Sequence, residues 1–567
     1  MAFASTTSSY PPKSAQESGT IEYTKLISSE PANNYVARIQ VKHIEKCEEI
    51  RRILGELVDE ALECMMMVDA LQRLCIDYHF EDEIKIFLDK LLLYYGSSIK
   101  STDDKVELHE IALHFRLLRQ AGYFVPTSVF ESFKDKKGEF KQELSEDIRG
   151  LMSLYEASHL GMEGEDTLLL DEANYFSHKH LTAAKMELEA GLLARVVDDT
   201  LKHPFHKNLA RFKARHYYYD LVSSTHHPHG TYGWVSLVQE LASMDFNMLQ
   251  SLYHQELLQI FKWWKELGLS QELKFARDQP LKWYLWSITA LPDPKHSQLR
   301  MELTKPISLV YIIDDIFDVY GSLDELILFT EAVNKWETTT IEGLPEYMKI
   351  CFKALDDITN EISDIVLKQH GWNPIATLRK AWGSLCDAFL IEAKWFASKL
   401  VPKSKEYLEN GVISTGVPLV LAHLFFLLGQ GLTQESVLYC VEHNPPLISS
   451  TATILRLWDD LGSAKDEKQE GHDGSYIECY MKEQEEEEEE GGSSIESAKD
   501  HVFGMISDSW KQLNRECLSK NHFSPTFKRA SLNIARIVPL MYSYNDNQNL
   551  PTLTEYINSL FYQSVAI

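Results

Sequence analysis

From about Val41 to the end of the chain, apolar residues recur at steps of three and four, as in Ile44, Cys47, Ile50, Ile53, Leu54 and Leu57. That spacing lays one apolar stripe along a helix. Gly and Pro are sparse and fall between such stretches, while alternating patterns flanked by hairpin turns are scarce. No fixed-period repeat marks a solenoid. The pattern predicts an all-α protein of two helical domains. Two interruptions punctuate it. Residues 225–231, THHPHGT, read as a polar turn, and a long amphipathic helix is expected to start near Asp245. The domain boundary is therefore expected close to Ala242, with a leader over 1–40, an N-terminal domain over 41–242 and a C-terminal domain over 243–567. The second interruption, Lys482–Ser494, carries the uninterrupted acidic run Glu485–Glu490 followed by Gly491 and Gly492. Charges at that density repel, which predicts a solvated loop.

Composition narrows the function classes. The formal net charge of −28 disfavours phosphate backbones and anionic lipid surfaces, so no nucleic acid is expected as a partner. An anionic small substrate would need local cations, from metal or from a few Arg residues. The Cys residues are scattered without a CxxC pair, so neither a zinc site nor a disulfide framework is expected, and a reducing compartment fits. The longest apolar run, Pro418–Leu428, is too short to span a bilayer and reads as a buried helix. No secretory signal is expected. Residues 1–16 are rich in Ser and Thr and lack acids, the bias of a plastid transit peptide. They also lack Arg, so the cytoplasm is the favoured compartment and the plastid (chloroplast) the alternative. The protein is expected to be a monomer.

Two acidic stripes carry chemistry. In Ile307–Tyr320, ISLVYIIDDIFDVY, Asp314 and Asp318 are four apart on one helix face, and Asp315 points aside. Carboxylates at that spacing repel. On a buried helix the repulsion needs a cation between them, and Mg²⁺ suits such oxygen ligands. In Leu457–Glu467, LWDDLGSAKDE, Asp459, Ser463 and Glu467 form a second oxygen stripe over two turns. Acidic pairs on helices are ordinarily solvent-exposed, as Asp198–Asp199 and Asp356–Asp357 are expected to be. Together, on facing helices, the two stripes can meet at one metal site. Arg456, three residues before Asp459, and Arg277, in FARDQPLKWYLW, offer forks for phosphate oxygens. Trp283 and Trp286 read as core, or as π faces for a cation.

DDIFD at Asp314–Asp318 resembles the DDxxD motif of plant class I terpene synthases, and DDLGSAKDE at Asp459–Glu467 is similar to their second motif, [N/D]DxxSxxxE. Upstream, RLCIDYHF (Arg73–Phe80), FRLLRQAGYFV (Phe115–Val125) and LYEASHLGMEGED (Leu154–Asp166) resemble the N-terminal domain of those enzymes. The resemblance runs from about residue 40 to the C-terminus. It implies a C-terminal class I terpenoid synthase fold and an N-terminal α-barrel, the latter structural because the class II motif DxDD is absent. It implies a cluster of Mg²⁺ ions, with Mn²⁺ as a substitute, held by Asp314, Asp318, Asp459, Ser463 and Glu467, and a prenyl diphosphate as the substrate. Arg277, Arg456 and a lid residue, Asp546, would act in catalysis, and Trp286 would line the substrate pocket.

Several departures refine the resemblance. The RRx8W motif of plant monoterpene cyclases is missing: Arg51–Arg52 is the only early pair, and Trp234 is the first Trp. The family's RxR reads Arg277-Asp278-Gln279. The lid sequence YSYNDNQNLP (Tyr542–Pro551) has Gln548 near the usual Tyr. These absences resemble the linalool and nerolidol synthases, which make acyclic alcohols. Geranyl diphosphate would then give linalool and farnesyl diphosphate nerolidol. An acyclic olefin of the ocimene or myrcene type and a cyclic sesquiterpene are the alternatives. A chain-elongating prenyltransferase would carry two DDxxD motifs, and a non-catalytic diphosphate-binding paralogue would not need both stripes intact. In Gly411–Val420, Gly416 and Pro418 break the helical pattern. In the family a broken helix here aims carbonyls at the cation; a plain loop is the simpler alternative.

Overall fold

The structure is a computed structural model that describes residues 33–98, 107–164, 167–188, 191–223, 232–463, 474–487, 494–518, 521–543 and 550–565. The polar turn at 225–231 lies outside the described residues. Among those described, regular structure is helical, apart from one isolated antiparallel bridge between Lys134 and Phe140. The chain divides into two compact units. Among the described residues, one comprises 33–251, 517–518 and 556–565; the other comprises 252–516 and 521–555.

The first unit begins with α1 (Asn33–Glu56), whose predicted stripe buries Cys47, Ile50 and Leu54. At its centre α2 (Leu108–Gln120) packs against α3 (Ile148–Ser158), which packs in turn against α4 (Thr167–Glu187). Charged residues tie this core together. Buried Arg119 donates to the Val125 and Leu160 carbonyls, each at 2.9 Å. Arg116 and Arg73 both pair with Asp69. The arginines of the RLCIDYHF and FRLLRQAGYFV segments are thus spent on structure, as are Arg52, paired with Glu56, and Arg51, which donates to the His79 carbonyl. The acidic pair Asp198–Asp199 is likewise covered by Lys185, Lys202 and Lys213.

The long helix expected near Asp245 begins earlier, as α5 (Val235–Leu267). Its apolar positions continue through Val238, Leu241 and Ala242, so nothing stops it before Val235.

In the second unit, α6 (Pro280–Ala290) starts on a Pro at its first turn, where the missing N–H costs nothing. It packs on α7 (Ser297–Asp315) and on the C-terminal α13 (Pro525–Tyr542). Between them run α8 (Ile375–Ser398), α9 (Ser404–Ser414), α10 (Val417–Leu428) and α11 (Pro446–Ser463). Helix α10 contacts both α7 and α11, the helices that carry the two acidic stripes. The stretch Ser404–Leu428 is long and apolar enough to cross a membrane, yet 78% of its apolar window is buried inside the fold. It is a core element, as the apolar run predicts. Buried Arg300 clamps this end of the unit, reaching Glu256 and the Leu291 carbonyl, while the Tyr284 hydroxyl donates to Glu256 at 2.5 Å.

Another expectation fails. The segment from Lys482 is not a loop at its start: α12 (Tyr476–Glu487) carries through it. Glu is a good helix former, and Glu485 and Glu486 face water, where their repulsion is screened. Glu483 is anchored, accepting from the Ser404 backbone N–H at 3.0 Å and its hydroxyl at 2.5 Å. Residues 488–493 lie outside the described part.

Candidate active site

A cavity of ≈ 330 Å³ opens within the second unit. Its acidic end is built from α7, the turn after it, and α11: Asp314, Asp315, Asp318 and Asp459 all line it. Arg277, Arg456 and Lys282 stand among them, and Trp286, Ile307, Val310, Phe389 and Leu455 supply apolar wall. Asp314 and Asp318 of the first stripe and Asp459 of the second, far apart in sequence, therefore line one space.

The local geometry departs from the predicted α-helical spacing. Helix α7 ends at Asp315, and Ile316–Tyr320 form a π-helical turn, closed by the Gly321 N–H donating to the Ile316 carbonyl at 2.8 Å. Asp318 sits on this widened turn. Asp315 does not point aside. The Arg277 backbone N–H donates to its Oδ2 at 2.6 Å, and the Arg277 Nε lies 2.7 Å from its Oδ1. The other arm of Arg277 pairs with Asp314 and donates to the Tyr311 carbonyl at 3.2 Å. Arg277 also lies over the Tyr311 ring, 4.9 Å from its centroid. The segment before α6 thus folds back onto the end of α7, which a helical wheel cannot show.

Charge crowding leaves its mark on the carboxylates. Burial pushes Asp315 up to about 6, with Arg277 pulling the other way. Burial, and then the neighbouring Asp314 carboxylate, push Asp318 well above the usual range. Among the described residues no cation lies within ion-pair reach of Asp318. A half-buried carboxylate crowded by a second one is favoured by a positive charge from outside the described residues.

On the opposite wall, buried Arg456 spans Asp459 Oδ2 at 3.2 Å and Asp460 Oδ1 at 3.5 Å. Asp460 faces away into a network, accepting from Tyr407 Oη and the Tyr476 N–H, both at 3.0 Å. The adjacent acids therefore divide their work: Asp460 holds α11 in place and Asp459 faces the cavity. Helix α11 ends at Ser463. The Ser463 side chain, Glu467 and the lid residue Asp546 fall outside the described residues.

Between these walls lies the break foreseen near Gly416. Helix α9 stops at Ser414 and α10 restarts at Val417, with Thr415 and Gly416 lining the cavity. Gly416 has φ +73°, and a Cβ there would sit 2.7 Å from the Val310 Cγ1 of α7. Only glycine fits both that backbone and that approach. Trp286 donates from Nε1 to Tyr311 Oη at 2.9 Å, which fixes its ring against the cavity, whereas Trp283 is wholly buried.

Oxygen donors from two helices around one space, one of them a half-buried carboxylate with no cation beside it among the described residues, fit hard divalent ions. Comparison with known proteins agrees. Residues 265–512 match the terpene synthase family metal-binding domain, and residues 22–201 match the terpene synthase N-terminal domain. The chain belongs to the terpene synthase family. As a terpene synthase it is a lyase. It is 50% identical to an (E)-nerolidol synthase of Cannabis sativa over 92% of this chain and 91% of that one. It is 44% identical to the chloroplastic S-(+)-linalool synthase of Arabidopsis thaliana over 98% and 95%. Among solved structures, isoprene synthase from grey poplar leaves, in complex with three Mg²⁺ ions and dimethylallyl-S-thiolodiphosphate, superposes with a TM-score of 0.84 at 33% identity. That match covers 94% of this chain and 99% of the other. The all-helical fold and the two-domain resemblance read from the sequence are those of the family.

Sequence reasoning misses two charged residues of the cavity. Asp315 was set aside by the helical wheel. Lys282 gave no signal of its own, although its place one turn before Trp286 puts both on one face of α6.

Proposed function

We propose that this synthase ionises geranyl and farnesyl diphosphate and lets water capture the cation, giving linalool and nerolidol with release of diphosphate. The observation that carries the reading is the single cavity, acidic and cationic at one end and apolar at the other, shared by Asp314, Asp318 and Asp459. Asp314, Asp318, Asp459, Ser463 and Glu467 would hold a cluster of Mg²⁺ ions, with Mn²⁺ able to substitute. Bound Mg²⁺ supplies Lewis acidity toward the diphosphate oxygens.

The protein's own part is positional and electrostatic. Arg277 and Arg456 orient the diphosphate end and balance the charge that builds on it as the allylic C–O bond breaks. The bonding pair leaves with the diphosphate oxygen. Trp286 and Phe389 line the space for the isoprenoid chain, where aromatic faces tolerate a delocalised cation. Water adds through its oxygen at the tertiary carbon and loses one proton, so the product is a neutral tertiary alcohol. The carbonyls around the α9–α10 break would steady the cation, and Asp546 would act from the lid. The nerolidol and linalool synthases among the relatives support the acyclic outcome. The chloroplastic linalool synthase supports the plastid as the compartment, whereas the expectation of cytoplasm finds no support.

The test is gas chromatography of products from each diphosphate with Mg²⁺. Linalool from the shorter substrate and nerolidol from the longer are expected as main products. Predominantly cyclic or olefinic products would overturn the acyclic-alcohol reading while leaving ionisation intact.

A further inference from the structure

Three basic side chains line the cavity, and their commitments differ. Arg277 is engaged by Asp314 and Asp315. Arg456 is engaged by Asp459 and Asp460. Lys282, on the first turns of α6, has no carboxylate within ion-pair distance among the described residues, yet its side chain lines the acidic end. Burial, with Arg277 nearby, pushes its ammonium down to about 8, while Asp459 across the cavity pulls the other way.

A scaffold lysine in a helix bundle either reaches water or meets a carboxylate. Lys282 is half-buried, meets no carboxylate at ion-pair distance among the described residues and lines a cavity instead. Its face is fixed by its neighbours, because Trp283 and Tyr284 are buried on either side of α6 and Trp286, one turn on, lines the same cavity. Next to it, Gln279 is neutral and its buried Oε1 accepts no hydrogen bond among the described residues. The cationic charge on this side of the cavity therefore rests on Arg277 and Lys282, and only Lys282 is uncommitted.

We propose that Lys282 is a diphosphate-binding residue, the ammonium that takes charge of the substrate's phosphate oxygens and retains the leaving diphosphate after ionisation. The inference rests on the diphosphate-ionising reading above and not on which terpene is made. It is independent of the metal ligands, since Lys282 offers no lone pair while charged. An ammonium with rotatable donors can follow the leaving group as it separates from the cation, which the doubly tethered Arg277 cannot do without breaking its own ion pairs.

The test uses the full chain with Mg²⁺ and inorganic pyrophosphate as the probe. Dissociation constants from calorimetry are compared for the parent, K282M and K282R, with thermal unfolding of each as a check on folding. A lost charge-assisted contact should raise the pyrophosphate Kd of K282M by on the order of tenfold or more at an unchanged Tm. K282R should stay within about threefold of the parent, because it restores the charge. Should K282M fail to fold, K282Q takes its place in the comparison. Parental pyrophosphate affinity in K282M or K282Q, or an equal loss in K282R, overturns the role of Lys282 alone. A parent protein that binds no pyrophosphate with Mg²⁺ overturns the diphosphate reading and the proposal together.

Discussion

At the scale of single residues, the two halves of the acidic end are set up differently. Asp314 and Asp315 share Arg277, whereas half-buried Asp318 has no cation within ion-pair distance among the described residues. Asp459 is held by Arg456, and its neighbour Asp460 carries the structural load through Tyr407 and Tyr476. The substitutions Asp314→Ala and Asp459→Ala should therefore cut turnover by at least about 10²–10³, the loss typical of a removed electrostatic stabiliser. Each also gives up one ion pair with an Arg, so Tm should fall, but less than on loss of Asp460, which in addition accepts from Tyr407 and the Tyr476 N–H. Asp460→Ala should instead unfold the protein more readily by about 3–5 kcal/mol, since it strips a partner from buried Arg456. Turnover assays beside thermal unfolding separate the two classes, and normal turnover in both cavity variants would refute the metal assignment.

At the scale of elements, the legible and the illegible divide on physical grounds. The 3.6-residue stripe makes helices readable because burial requires it, and Gly416 with Pro418 marks a break because neither residue continues a helix. The convergence of Asp314, Asp318 and Asp459 is readable as charge that buried helices would not carry without purpose. The π turn at Ile316–Tyr320 is not readable, because the same spacing of acids suits an α-helix. Nor is the return of Arg277 onto Asp315, a contact between segments distant in sequence. The helical start of the acidic run fails for a related reason: like charges destabilise a helix only where water and neighbours such as Ser404 do not relieve them. The α9–α10 break yields its own prediction. Gly416→Ala forces a side chain onto φ +73° and against Val310. It should cost about 1–3 kcal/mol and shift the product distribution, as the wall shared by α7 and α10 moves. Unfolding curves and product chromatography check both; an unchanged profile at full stability would contradict the role of the break.

At the scale of the whole molecule, the stability of the N-terminal unit carries a pH signature. In this unit Asp245 is buried among His43, His79, Tyr78 and Arg211. Burial opposes a charge on His43, but Asp245 and Cys47 outweigh it and raise the imidazole to about 9. A group raised in the folded state stabilises fully below its unfolded value, near 6.5, and the benefit is lost as pH climbs through about 9. Thermal stability should fall between those pH values, and His43→Gln should flatten the fall; a His43→Gln profile parallel to the parent would contradict it. Turnover, on the reading proposed above, depends instead on the second unit, where Asp314, Asp318 and Asp459 meet.

That meeting is best tested by locating the metal. Crystals grown with Mn²⁺ and pyrophosphate should show anomalous peaks at about 2.0–2.2 Å from the carboxylates of Asp314 and Asp459, inside the cavity lined by Trp286 and Phe389. Peaks on the protein surface alone, or a cavity that takes up pyrophosphate without metal, would contradict the account.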